Sequence, residues 1–131
     1  MKAHTFTTTI NRPRDEVYAF INEIENLPKW ADGFAKEVKV VDGHHKVVTP
    51  DGEMLLNFES DPKLGVIDMW AGPTQEQMDV FPVRVIARPD GSTVTTMTLF
   101  QTPDVDDSVF AMQVESLTRE TGQLKRMLEN A

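Results

Sequence analysis

The sequence predicts an α+β fold: a curled, seven-stranded antiparallel sheet wrapped around a long C-terminal helix, in the order β-α-α-β6-α. Three features predict it. Residues 104–130 carry apolar side chains at Phe110, Val114, Leu117, Thr121, Leu124 and Leu128, in steps of four and three that mark one helical face. Between residues 34 and 101, short alternating stretches are divided by Asp-Gly, Pro-Asp-Gly and Gly-Pro turns, the mark of an antiparallel meander. The apolar members of those stretches (Met54, Leu56, Phe58, Ile67, Met69, Val83, Val85, Met97, Leu99) form one face that matches the single stripe on the helix.

Each element has its own local reason. His4 to Ile10 alternates and is rich in threonine, which suits an edge strand. Pro13 suits a first helical turn, Asp15 and Glu16 favour the positive end of a helix dipole, and Val17, Phe20, Ile21 and Ile24 share a face. Asn26-Leu27-Pro28 ends that helix, because proline drives its predecessor out of the α region, and Lys29-Trp30-Ala31 forms a second short turn. Strands then follow over residues 34–42, 44–49, 53–60, 64–71, 77–88 and 92–101. Pro82 lacks an amide donor and marks a bulge or an edge. In the terminal helix, Asp104, Asp106 and Asp107 supply N-terminal caps, and Lys125 and Arg126 suit the C-terminal end. Arg119, Glu120, Gln123, Arg126 and Glu129 mark its wet side. A curled sheet wider than the helix it holds leaves apolar gaps between them, and such gaps bind ligands.

The bulk composition narrows the function. A chain of 131 residues is read as one domain, 1–131, able to bury a sizeable core. It has no cysteine, which removes disulfides and thiolate chemistry and suits the reducing cytoplasm. The N-terminus lacks a signal-peptide h-region, and no apolar run approaches the ~20 residues that span a bilayer. A net charge of −8 argues against nucleic acid and anionic membranes as partners and is read as solubility.

Several motifs carry a resemblance. Thr9-Ile10-Asn11-Arg12-Pro13-x-x-x-Val17-Tyr18-x-Phe20-Ile21 followed by Asn26-Leu27-Pro28-x-Trp30 resembles the opening of the START-like polyketide cyclase/dehydrase and lipid-transport superfamily. Trp70-Ala71-Gly72-Pro73, the strand Gly91-Ser92-x-Val94-x-x-x-x-Leu99-Phe100-Gln101 and the terminal Leu124-Lys125-x-x-Leu128-Glu129 are similar to bacterial members. The resemblance spans the chain and implies a helix-grip fold with a cavity under the long helix. Members bind lipids, sterols, quinones or polyketides, and a minority are cyclases or aromatases. A fold of this kind does not fix which.

The expected function is binding of a small hydrophobic molecule between helix and sheet, with no cofactor and no metal. Phe110, Val114 and Leu117 line one wall and Phe58, Met69, Met97 and Leu99 the other, with Trp30 and Trp70 at the margins. Arg84 or Asn57 would orient the ligand, although an outward Asp68–Arg84 ion pair is the simpler reading of those two charges. For Trp30, with Leu27 and Phe34, plugging the end of the core is the simpler reading. The methionines at 54, 69, 78, 97 and 112 suit either an adaptable binding surface or ordinary core filling. His44 and His45 alternate in a strand and cannot face one metal. A cyclase or dehydratase would need a shifted acid or base inside the pocket, for which Asp68, Arg84 and Tyr18 are the candidates. The third reading is a protein-interaction module with an exposed apolar edge. The chain is expected to be a monomer or homodimer.

Overall fold

The computed structural model describes residues 1–131. Strand β1 (Ala3–Ile10) is followed by helices α1 (Arg14–Asn22) and α2 (Leu27–Trp30), with a 3-10 turn at Ile24–Asn26 between them. Six strands follow: β2 (Glu37–Val41), β3 (His44–Thr49), β4 (Gly52–Asp61), β5 (Val66–Gly72), β6 (Asp79–Ala87) and β7 (Thr93–Phe100). Helix α3 (Asp107–Glu129) ends the chain. The strands form one seven-stranded antiparallel sheet in the order β1-β7-β6-β5-β4-β3-β2. The first strand therefore closes beside the last, and the chain crosses through α1 and α2 to start the meander at the far edge.

Several boundaries differ from the sequence reading, each for a local reason. Helix α1 stops at Asn22 because Glu23 is extended, and Ile24 falls in the 3-10 turn. Pro28 begins α2 instead of ending α1, since a first-turn position needs no amide donor. Residues 34–36 are not strand: the amides of Phe34 and Ala35 both donate to the Ala31 carbonyl and hold a turn. Leu64 and Gly65 lie in the β4–β5 turn, and the Leu64 side chain is exposed. Pro82 sits in an interior strand and not at an edge. It is tolerated there because β6 is paired with β7 only from Val83 onward. The β2–β3 turn is as expected, with Asp42 and Gly43 both at positive φ, the geometry of a tight hairpin.

Alternation decides which side chains enter the core. Ile67 and Met69 of β5, Val83 and Val85 of β6, and Thr95 and Met97 of β7 are buried, while their chain neighbours are more exposed. Helix α3 runs along β1 on this concave side. Its N-terminal Asp107 lies 3.4 Å from Lys2, and Lys125 Nζ donates to the Thr9 carbonyl at 2.5 Å. Asp106 caps the helix by accepting from the Val109 amide. Arg12 clasps the other end, with Nε donating to Leu128 O at 2.9 Å and Nη2 to Ala131 O at 2.6 Å. Leu124 and Leu128 are thereby seated in the same core as Phe6 and Ile10.

Candidate functional site: an apolar trough beside the terminal helix

Two neighbouring rows of side chains cross the concave face. One row, Phe6–Met97–Val83–Ile67, follows the strand register and is 6 %, 0 %, 0 % and 0 % exposed. The next row, Phe81–Met69–Phe58, is open at both ends: Phe81 and Phe58 are half-buried, although Met69 between them is buried. Leu99, two residues beyond Met97 on β7, is half-buried as well. Helix α3 shows a similar opening in the middle of its stripe, beyond the buried Phe110. Thr121, Leu124 and Leu128 are buried, whereas Val114 and Leu117, earlier on the same stripe, are only half-buried. The C-terminal half of α3 is thus seated, and the stretch around Val114 and Leu117 leaves an open apolar trough against the sheet.

The expected binding residues fall into three groups. Phe58, Leu99, Val114 and Leu117 line the trough, and Met69 forms its floor. Phe110 is 5 % exposed on the same helical stripe, so it contributes little open surface. Trp30 and Met97, at 1 % and 0 % exposure, belong to the packed core and stand behind the trough instead of lining it. Trp70 and Arg84 are corrected: Trp70 alternates with the buried Met69, and Arg84 with the buried Val83 and Val85, so both point to the convex face. Asn57, opposite Trp70, does the same. Arg84 Nη1 donates to Asp68 Oδ1 at 2.8 Å on that outer face, with side chains 41 % and 28 % exposed. Direct register sets Asp68 against Pro82, so the pair is diagonal.

The candidate acid–base groups are accordingly not gathered in the trough. Tyr18 is buried, its hydroxyl donates to the Val66 carbonyl at 3.1 Å, and burial raises its pKa. The interior carboxyl is one that the sequence reading put on the wet side of α3. Glu120 is 1 % exposed, and burial pushes its pKa up. Its position three residues after Leu117 and four before Leu124, on the margin of the stripe, was the available signal.

Neither principal surface depression lies in the trough. One, of about 390 Å³, is bordered by His44, Leu55, Asn57, Gln75 and Met78 at the outer mouth of the β5–β6 connection. The other, of about 370 Å³, is at the β6–β7 turn beside Arg88, Asp90 and Ser92. Neither of these two depressions is lined by a residue of α3.

No family model matches the sequence, and no curated protein sequence does. Solved structures do, over nearly the whole chain. A START superfamily protein from Mycobacterium smegmatis superposes with a TM-score of 0.68 at 13 % identity, covering 98 % of this chain and 97 % of that one. The Zhui aromatase/cyclase from Streptomyces sp. R1128 gives 0.67 at 13 % identity, covering 98 % and 92 %. The Aha1 dimer from Colwellia psychrerythraea gives 0.73 at 14 % identity, covering 98 % and 97 %. The chain therefore has the START-like, helix-grip fold. No helix is long and apolar enough to cross a membrane.

Proposed function

We propose that the protein binds a small hydrophobic molecule, of the lipid, quinone or aromatic polyketide-like class, in the trough between the N-terminal half of α3 and the concave sheet. One observation carries the reading: Val114 and Leu117 on the helix, and Phe58, Phe81 and Leu99 on the sheet, leave apolar surface open while the adjoining row is closed. Burying that surface under a ligand contributes ~25 cal/mol per Å² before association costs are subtracted. The proteins of similar fold include an aromatase/cyclase, so this shape can enclose a reaction as well as a passenger. Carrier function is favoured over catalysis because Asp68 and Arg84 face outward and Tyr18 is committed to a backbone carbonyl. We place the protein in the cytoplasm, as a monomer or homodimer, on its cysteine-free, acidic composition.

Native mass spectrometry of the purified protein tests this together with Leu117→Trp. The wild type is expected to retain a small apolar molecule. The variant is expected to fold normally and to lose that molecule, because the indole fills the furrow. Retention of the same molecule by a folded Leu117→Trp would put the binding site elsewhere, and global unfolding of the variant would show the furrow to be tightly packed.

A further inference from the structure

A carboxyl group is enclosed where α3 meets the turn after α2. Glu120 Oε1 accepts from Ser116 Oγ at 3.0 Å, and Oε2 is buried with no partner. The opposing turn comes unusually close. A Cβ added at Gly33 would stand 2.5 Å from Ser116 Oγ, 2.7 Å from an Arg119 guanidinium nitrogen and 3.5 Å from Glu120 Oε1, so a side chain there would displace Ser116 and Arg119. Trp30 of α2 also has a buried indole Nε1 without a partner. Further ties join the two elements: Gln123 Nε2 donates to Lys29 O at 2.9 Å, and Arg119 pairs with Asp32 at 3.2 Å.

A neutral carboxylic acid can occupy this dry seam with one oxygen unpartnered at modest cost. A carboxylate there would be a buried, incompletely paired charge, which is far less favourable. We propose that Glu120 is a proton-operated latch: protonated, it lets the turn Ala31–Ala35 close on α3, and ionised, it releases that turn. The turn carries Phe34, half-buried against the core, so its release would open a side entrance to the apolar trough. The entrance role rests on the ligand-binding reading above; the latch does not.

The surrounding charges set the direction. Burial is the largest influence and raises the Glu120 pKa, and Asp32 adds to the rise. The Ser116 hydroxyl, the nearby Phe34 backbone and the Arg119 charge pull it down by less. Lys36, just after the turn, whose Nζ donates to the Asp32 carbonyl at 2.9 Å, is the other nearby cation. The closed, folded seam thus binds a proton more tightly than the open one. Closure is at full strength below the ordinary carboxylate range. It weakens as pH rises above that range, and the loss is complete once pH passes the raised value.

Carbon-detected NMR titration of the Glu120 carboxyl, with amide hydrogen exchange at Ala35, tests the latch. The Ala35 amide donates to Ala31 O at 2.7 Å within the turn, and the Val85 amide, which donates to Gly65 O at 2.8 Å, serves as a distant reference. In the wild type, Glu120 is expected to titrate above the ordinary range. Across that window the protection of Ala35 should fall by up to tenfold per pH unit while Val85 is unaffected. In Glu120→Gln the Ala35 protection should be flat. A carboxyl titrating in the ordinary range, or equal slopes in both proteins, would overturn the proposal, and the wild-type titration decides alone should the variant not fold. The association rate of the neutral fluorophore N-phenyl-1-naphthylamine should rise over the same window in the wild type only. A rate independent of pH removes the entrance role. No binding at all removes the trough reading and leaves the latch standing.

Discussion

Arg84 and Asp68 meet at 2.8 Å on the convex face, where water screens them. Half-exposed pairs of this kind contribute ~0–1 kcal/mol. Arg84→Ala and Asp68→Ala are therefore each expected to shift the urea-unfolding free energy by no more than about that amount. Both should leave small-molecule retention unchanged. Loss of retention in Arg84→Ala would mean that the guanidinium reaches the ligand after all. The pair itself was legible, because two opposite charges on adjacent strands with matching parity find one another. Its direction depended on register, and a shift of one residue exchanges the faces. Glu120 illustrates the opposite difficulty. A charged residue on a helix reads as solvent-facing until something covers it, and here the cover is Gly33, about ninety residues earlier, whose missing side chain lets the turn close over the carboxyl.

Helix α3 is packed closely at Leu124 and Leu128 and more openly at Val114 and Leu117. Leu124 is 0 % exposed, so Leu124→Ala should leave a cavity and cost ~2–5 kcal/mol, read from urea unfolding. Leu117→Ala should cost less, because the half-buried Leu117 has fewer packed neighbours to lose. Equal costs at the two positions would show that the N-terminal half of the helix is seated too. The helix was readable because its caps, its stripe and its length all agree, and the β2–β3 hairpin was readable because Asp42-Gly43 admits few other shapes. The segment from Glu23 to Lys36 was read less well. Proline there starts a helix as readily as it stops one, and the turn at Phe34–Ala35 depends on hydrogen bonds to Ala31 that leave no periodic trace in the sequence.

At the scale of the whole molecule, β1 closes beside β7 while α1 and α2 carry the chain to the opposite edge, so the sheet curls around one side of a rod. Matching an apolar face to an apolar stripe establishes that rod and sheet meet. It does not establish how closely, because a furrow and a filled core can have the same pattern of hydrophobic residues. The measurement that separates them most directly uses the methionines. In a methyl-labelled sample titrated with N-phenyl-1-naphthylamine, the Met69 methyl on the floor of the trough should shift and broaden. Met78, at the outer depression, and Met112, exposed on α3, should stay where they are. Movement of Met78 with Met69 unchanged would place the binding surface at the β5–β6 connection, away from α3, and contradict the account.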